Sequence, residues 1–176
     1  MINIIQKGNL ILRKNSAIIS QKEITKKATR DLIKKMSAAL RTEPVGIGLA
    51  AVQIGIPKAV FIVSEYILKP ETLLKDENEE EIKRKKEKEK YIVFINPRLI
   101  KRSKKKTLKH EGCLSIKNTY GRIKRSTHVT IEAHNENGKK FRRGAGGLFA
   151  QVIQHEMDHL KGMLFIDKAE NVDKIS

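Results

Sequence analysis

The sequence predicts an α+β fold in which mixed or antiparallel strands pack around a helix near the C-terminus. Three observations lead to this prediction: an amphipathic helical pattern early in the chain, several strand-like runs in the middle, and a helical pattern around HEMDH at residues 155–159. Strands grouped together and helices placed at the ends are typical of α+β folds. A chain of 176 residues can bury one core without covalent staples, so we predict a single domain over residues 1–176.

The first helix is predicted from residue 20 to about residue 40. Ser20 and Glu23 form a capping-box pattern, in which the side chain of each residue can bond the backbone N–H of the other. Apolar residues then recur at helical spacing, at Ile24, Ala28, Leu32, Met36 and Leu40. The helix should therefore bury one face along its whole length.

The middle of the chain is predicted to consist of strands and connecting segments. Residues 45–57 (VGIGLAAVQIGIP) carry three glycines within eleven positions and are predicted to be largely irregular. Residues 58–63, 91–96 and 127–134 are predicted strands, and ENGKK after the last of them is typical of a hairpin turn. Residues 69–90, with eight basic and eight acidic side chains, are predicted to be a solvated charged insertion.

The net charge of +17 results from 37 Lys and Arg against 20 Asp and Glu. Such an excess favours contact with anionic partners such as nucleic acid or ribosomes, and a lysine-rich composition throughout the chain explains it equally well. The excess is densest in residues 98–109 (RLIKRSKKKTLK), with seven basic residues and no acid, and recurs at 139–143. Nothing indicates recognition of a specific DNA sequence.

The cellular compartment is predicted from cysteine use and from the apolar runs. Cys113 is the single cysteine and cannot form an internal disulfide, which fits a reducing compartment. The first 16 residues lack the apolar run of a signal peptide, and no later stretch could span a membrane. We expect a cytoplasmic monomer, or a protein of an organelle interior after loss of a targeting segment.

The helix around HEMDH should place two imidazoles on one face. At about 100° per residue, His159 lies about 40° and Glu156 about 100° from His155, in a sector that also holds Leu148 and Val152. The spacing H-E-x-x-H lets both imidazoles bind one metal ion, with the glutamate available for proton transfer. The opposite sector, predicted to face water, holds Gln151, Gln154, Asp158 and Lys161.

A catalytic metal site of this type needs a third protein ligand. In the metalloprotease pattern H-E-x-x-H-x-x-G-x-x-H, Gly162 matches but Phe165 occupies the position of the last histidine. The 17 residues after His159 offer little room for the further helix of the other protease form. Cys113, in HEGCLS at residues 110–115, is a candidate for the third ligand.

Three motifs in order resemble the signature motifs of the peptide deformylase family: GIGLAAVQIG (46–55), EGCLS (111–115) and QHEMDHLKG (154–162). INP (95–97) and LFID (164–167) also fit, and the resemblance runs from about residue 31 to residue 167. It implies a metal held by Cys113, His155 and His159, with Fe(II) expected in the cell and Ni²⁺, Co²⁺ or Zn²⁺ able to replace it. It also implies removal of the N-formyl group from the formyl-methionine of nascent peptides.

The resemblance also implies roles for further residues. Glu156 would act as the general acid and base, while the Gln53 amide and the Leu114 backbone N–H would stabilise the oxyanion. The residues expected to contact substrate are Gly48 and Leu148, and Glu111 and Arg125 are expected to form an ion pair behind the metal ligands. Asp158, which lies on the predicted wet face of the helix, is assigned to a structural role and not to catalysis.

Two of the departures from the family pattern affect the expected peptide groove. IKN follows EGCLS at residues 116–118, where a short apolar residue, Pro and Gly are usual, and this changes the expected rim of the peptide groove. Gln151 stands where this helix usually offers an apolar wall to the methionine pocket.

Three alternatives to a deformylase remain open from the residues alone. A metallopeptidase of the H-E-x-x-H class would lack its third ligand. A ribosome- or RNA-binding protein with an inactive site would explain the charge but not the complete motifs. A thiol hydrolase using Cys113 as nucleophile would leave the second histidine unexplained, since one histidine suffices as base.

Overall fold

The computed structural model describes residues 2–68 and 88–174, and all structural statements below refer to these residues. The α-helices are α1 (Gln21–Ile24), α2 (Lys27–Arg41) and α3 (Gly147–His159). The strands are β1 (Gly48–Ala50), β2 (Val60–Ser64), β3 (Tyr91–Arg102), β4 (Lys106–Cys113), β5 (Ile116–Ser126), β6 (His128–His134), β7 (Lys140–Gly146) and β8 (Asn171–Lys174). The predicted α+β fold is confirmed.

The strands form two antiparallel sheets. The larger sheet has the order β1-β2-β3-β6-β7, and the smaller one has the order β4-β5-β8. Helix α3 contacts strands of both sheets, so it lies at the centre of the molecule. Its apolar residues join the main core beside Phe61, Phe94 and Ile131, where the rings of Phe61 and Phe94 stack with centroids 4.6 Å apart. The prediction of strands around a central helix carrying HExxH is therefore confirmed.

The first predicted helix is divided in two, which corrects the sequence prediction. The capping box of Ser20 and Glu23 is present, but α1 ends at Ile24 and α2 begins only at Lys27. The interruption changes the helical phase, so that Ala28 is exposed and Thr29 is buried in its place. The Thr29 hydroxyl donates to the Glu23 carbonyl at 2.8 Å across the break.

The second core cluster explains why α2 keeps the rest of the predicted apolar face. Leu32, Met36 and Leu40 pack against apolar residues of β1 and β2, including Leu49 and Ile62. Burying large aliphatic side chains stabilises the fold by about 1.5–3 kcal/mol each. Helix α2 therefore covers one face of the large sheet at β1 and β2.

The glycine-rich stretch at residues 45–57 is more regular than predicted. Gly48–Ala50 forms β1, paired antiparallel with β2, and Ala51–Ile54 forms a 3₁₀-helix. Pairing with the buried strand β2 supplies backbone partners that local composition could not reveal. The strands predicted near residues 58–63, 91–96 and 127–134 are present, and the turn between Asn135 and Lys139 joins β6 to β7.

The predicted charged insertion at residues 69–90 lies largely outside the described residues, so its prediction stands untested. At its described end, Glu89 is buried and accepts hydrogen bonds from Ser64 Oγ and from Tyr91 Oη, the latter at 2.8 Å. The Arg41 guanidinium lies 5.6 Å from the centroid of the Tyr91 ring. In the described part of the chain, no helix has both the length and the apolar character needed to cross a membrane.

The face of α3 predicted to be wet is mostly buried, which is a second correction. Gln151, Gln154 and Asp158 are buried, and Lys161 alone among the four is exposed. Gln154 donates to the Ser126 carbonyl at 3.0 Å and accepts from the Ser126 N–H at 3.1 Å, which joins α3 to the end of β5. The angular prediction failed because α3 has protein on both sides, so its polar residues bond neighbouring strands instead of water.

Candidate metal centre

Cys113, His155 and His159 come together where the end of β4 meets α3. One ligand atom from each residue lies within 4.8 Å of the others, and Cys113 Sγ is 3.3 Å from His159 Nε2. The two imidazoles are one helical turn apart, with ring centroids 4.9 Å apart and planes nearly perpendicular. One thiolate and two imidazoles form a three-ligand set that leaves one coordination position for water or substrate.

Glu111 determines the orientation of His155. His155 Nδ1 lies 3.0 Å from Glu111 Oε2. Because an ionised carboxylate only accepts hydrogen bonds, Nδ1 carries the proton and Nε2 is left free for a cation. Burial alone would raise the pKa of Glu111, but the hydrogen bonds from Arg125 and His155 lower it, so Glu111 stays ionised.

The charges around the cluster favour a cation between the ligands. Burial tends to lower the pKa of His155, but hydrogen bonds to Cys113 and Glu111 and the charge of Glu156 outweigh it and raise this pKa well above its ordinary value. Burial lowers the pKa of His159 well below its usual range, as do the charges of His155 and Arg125. The surroundings therefore favour positive charge at this cluster, and a metal ion would take the place of the extra His155 proton, because both ligand imidazoles are neutral when they bind a metal.

Glu156 reaches the same cleft from α3. Burial raises its pKa to about 7, although the charge of His155 lowers it and that of Glu111 adds a smaller increase. Among the described residues, Glu156 Oε2 and His159 Nδ1 are buried and lack a hydrogen-bond partner. A buried carboxylate oxygen without a partner is costly, which fits a position where a water or a reacting group is bound.

Gly48 makes room for that carboxylate. A Cβ at Gly48 would lie 2.6 Å from Glu156 Oε1 and 2.9 Å from Val152 Cγ1, both far inside normal contact distance. The resemblance to the family predicts that Gly48 contacts the substrate. The structure shows that Glu156 fills the space that a side chain at Gly48 would take. No sequence signal indicated this contact.

Gln53 is held with its amide nitrogen toward the cluster. Its Oε1 accepts from the Ala50 N–H at 2.8 Å, while Nε2 lies 3.1 Å from Ser115 Oγ and 3.7 Å from Cys113 Sγ. Ser115 is fully buried, and sequence reasoning did not single it out, although it lies within the EGCLS motif. Two fixed contacts thus hold the amide nitrogen of Gln53, the predicted oxyanion donor, beside the Cys113 thiol.

The cleft beside these residues has a volume of about 590 Å³. Leu148, Gln151 and Val152 line it from α3, and Leu114 lines it from the turn after Cys113. Gln151 Nε2 donates to the His110 carbonyl at 2.7 Å, so this side chain joins α3 to β4 along the cleft wall. Residues 116–118, which replace the usual family sequence, form part of the rim together with Tyr120.

Behind His155, charged side chains form a continuous network that is buried except at Lys168. Arg125 donates from Nε and Nη2 to the two oxygens of Glu111 at 2.7 and 2.8 Å, and from Nη1 to Asp158 Oδ2 at 2.7 Å. Lys168 Nζ donates to the other oxygen of Asp158 at 2.6 Å. The sequence suggested the pair of Glu111 and Arg125 and a structural role for Asp158, but it gave no sign of Lys168.

Comparisons with known proteins agree with this geometry. The family model described as polypeptide deformylase matches residues 1–174. The tomato protein named peptide deformylase 1A, chloroplastic, is 35% identical over 174 residues, covering 96% of this chain and 59% of the relative. This chain thus spans about 60% of the length of the first curated relatives that it matches.

Two solved structures are similar over most of the chain. A peptide deformylase from Synechococcus elongatus in complex with actinonin has a TM-score of 0.77 and 32% identity, covering 97% of this chain and 79% of that one. A Met-Ala-Ser-bound class I type b peptide deformylase from Acinetobacter baumannii has a TM-score of 0.78 and 27% identity, covering 96% and 98% of the two chains. The extent of these matches shows that this chain belongs to the polypeptide deformylase family.

Proposed function

We propose that this chain hydrolyses the N-formyl group of formyl-methionyl nascent peptides, releasing formate and a free amine. One observation carries the proposal most strongly. The ligand atoms of Cys113, His155 and His159 lie within 4.8 Å of one another, and the carboxylate of Glu156 borders the same cleft. Family membership and the Met-Ala-Ser complex of the Acinetobacter baumannii relative support a peptide as the substrate.

Cys113, His155 and His159 would hold one divalent metal ion, which fits the ligand types and the attraction of this cluster for positive charge. When bound, such an ion lowers the pKa of a coordinated water so that hydroxide is available near neutral pH. We expect Fe(II) in the cell, with Ni²⁺, Co²⁺ or Zn²⁺ able to replace it, because a Cys/His₂ set accepts several divalent ions.

Glu156 moves the protons of the reaction. Water adds its oxygen to the formyl carbon while Glu156 accepts a proton from it. The C–N bond then breaks as Glu156 delivers that proton to the leaving nitrogen, so that formate and an amine result. A carboxylate whose pKa is raised to about 7 by burial suits both steps near neutral pH.

The developing oxyanion requires fixed donors. The Gln53 amide nitrogen, oriented by its contacts with Ala50 and Ser115, and the backbone N–H of Leu114 would supply them. Gly48 and Leu148 would border the bound peptide, since both line the cleft. Glu111 and Arg125 would hold His155 in the tautomer that binds the metal.

The decisive experiment compares three peptides of identical sequence with the anaerobically purified, metal-analysed protein. One peptide begins with formyl-Met, one with acetyl-Met and one with free Met. We expect formate release from the first peptide and little turnover of the other two. Cleavage of internal bonds in any of the three would favour the metallopeptidase alternative, and inactivity of the metal-loaded protein toward the formyl peptide would contradict the proposal.

The formylated substrate suggests where the enzyme works. We expect a monomer in the cytoplasm or in an organelle that makes formylated chains, in line with the chloroplastic designation of the tomato relative. The basic residues 98–109, with residues 139–143, would provide a salt-dependent contact with ribosomal RNA, because nascent chains emerge at an RNA-rich surface.

A further inference from the structure

The network behind His155 extends beyond the ion pair that holds this ligand. It runs from His155 to Glu111, then to Arg125, to Asp158 and finally to Lys168, with successive contacts of 3.0, 2.7, 2.7 and 2.6 Å. The members come from α3, β4, β5 and the segment after α3. Two carboxylates alternate with two cations, so the group behind His155 has no net charge when all four are ionised.

Arg125 depends on both of its carboxylate partners. Its side chain is 6% exposed, and its three bonded nitrogens are divided between Glu111 and Asp158. An unpaired buried charge is strongly unfavourable. A buried guanidinium that loses one of its partners therefore shifts toward other groups that can bond it. The position of Asp158 therefore helps to fix the direction in which Arg125 presents its fork to Glu111.

Lys168 in turn fixes Asp158, and the backbone holds Lys168 firmly. The Lys168 N–H donates to the Phe165 carbonyl at 3.0 Å, and the adjacent Asp167 accepts from the Leu164 N–H at 2.8 Å and forms an ion pair with Arg13. The ammonium group is therefore presented to Asp158 from a fixed turn. Its side chain is 39% exposed, whereas that of Asp158 is only 12% exposed.

We infer that Lys168 is a positioning residue for the metal site, acting through Asp158, Arg125 and Glu111 on the orientation of His155. This inference rests on the metal site proposed above. Partners that orient a metal-binding histidine typically change metal affinity by about 10–100-fold when they are removed. Because Lys168 acts through three intermediate side chains, the lower end of that range, about 10-fold, is expected.

A neighbouring ion pair provides a matched control. Lys124 is adjacent to Arg125 on β5 and forms a 2.8 Å ion pair with Glu170, two residues after Lys168. This pair joins the same strand to the same segment, but among the described residues it forms no hydrogen bond or ion pair with the group behind His155. If Lys168 only anchors the segment, Lys124→Met and Lys168→Met should have similar effects.

The test measures Co²⁺ binding by anaerobic competition with a chelator of known affinity, together with the visible Co²⁺ spectrum. We expect Lys168→Met to bind Co²⁺ about 10-fold more weakly with an altered spectrum, Lys168→Arg to restore both, and Lys124→Met to leave both unchanged. Lys168→Gln, which keeps a polar head without the charge, provides the same test if the methionine variant does not fold.

Two results would overturn the inference: unchanged affinity and spectrum in the folded Lys168 variants, or an equal loss in Lys124→Met. Failure of the unsubstituted chain to bind Co²⁺ stoichiometrically would overturn the metal site itself, and the inference with it. These results are distinguishable, because the first two are read against a chain that binds the metal normally.

Discussion

Two regions of this molecule are rich in charge and use it in opposite ways. Behind His155, Glu111, Arg125 and Asp158 are buried, and each contacts opposite charges at hydrogen-bond distance. At residues 98–109, which we call the basic segment, six of the seven basic side chains are exposed. One region orients a single imidazole, whereas the other presents positive charge to solvent.

The geometry of the basic segment explains its exposure. It covers the end of β3 and the start of β4, where the chain passes from the large sheet to the small one. Ser103 and Lys105 hold this corner by accepting hydrogen bonds from residues 126–128. The Ser103 carbonyl and hydroxyl and the Lys105 carbonyl are the acceptors. In the described part of the chain, no carboxylate lies within salt-bridge distance of five of these basic side chains, namely Lys101, Arg102, Lys104, Lys105 and Lys106.

The comparison shows that the number of charges alone does not indicate their role. Buried charges stay ionised only with near neighbours of opposite sign, so their geometry is specific and their removal affects the site. Exposed unpaired charges are screened by salt and tolerate change, so they act through long-range attraction. Substitutions in the two regions should therefore differ greatly in their effect on turnover of a short formyl-methionyl peptide.

Substitution of Cys113 by alanine should have the largest effect. Two imidazoles alone give an incomplete site, so we expect loss of stoichiometric metal and of turnover. Metal analysis of the purified variant by mass spectrometry provides the measurement. Full metal occupancy in Cys113→Ala would remove this thiol from the ligand set.

Glu156→Gln should retain the metal and lose turnover by about 10²–10⁴-fold, the usual contribution of general acid–base catalysis. The substitution keeps the size of the side chain but removes its ability to carry the proton. Asp158→Asn should be much milder, since its carboxylate contacts Arg125 and Lys168 and does not line the cleft. Equal losses in the two variants would contradict the assigned roles.

Gly48→Ala should displace the Glu156 carboxylate, because the new methyl group would lie 2.6 Å from Oε1. A displacement of about 1 Å at a catalytic group can reduce the rate about 10²-fold. We expect this loss in kcat with unchanged metal content. Gly144→Ala on β7 is the control, since among the described residues no atom beyond its two chain neighbours lies within 4 Å of its added Cβ; similar kinetics in the two variants would argue against the contact.

The sequence revealed much of the site because the ligand residues lie in short local motifs. His155, Glu156 and His159 are fixed relative to one another by the helix period, and only the position of Cys113 required tertiary structure. The contacts that could not be predicted join distant segments. Lys168 reaches Asp158 from beyond the end of α3, and Ser115 meets Gln53 across 62 residues of sequence.

The errors in the predicted fold have a similar origin. A helical wheel divides a helix into one buried and one wet side, but α3 contacts both sheets, so Gln151, Gln154 and Asp158 are buried as well. Ile24 and Leu32 are both buried, but the break between α1 and α2 changes the helical phase between them. A pattern that assumes one continuous helix cannot reveal such a break. Periodicity predicts which elements form, whereas their neighbours decide which polar residues are buried.

The smallest effect on turnover is expected in the basic segment. Reversal of Lys104, Lys105 and Lys106 to glutamate should leave hydrolysis of a short formyl-methionyl peptide unchanged, since none of the three lines the cleft. The same change should weaken co-sedimentation with ribosomes. Binding through six to ten phosphates falls by about 10³–10⁵-fold between 50 and 200 mM salt, and each lost contact reduces the salt slope by about one.

A matched variant separates a local surface from overall charge. Lys22, Lys34 and Lys35 are exposed on α1 and α2, and their reversal changes the net charge by the same amount. If the basic segment contacts ribosomal RNA, its reversal should reduce the slope of log binding constant against log salt concentration by about three. The helix variant should keep the original slope. Equal weakening in both variants would mean that binding depends on net charge alone. If co-sedimentation does not respond to salt or to either reversal, the basic excess reflects only the amino-acid composition of the chain. Of the two charged regions, the group behind His155 would then be the only one with a specific role.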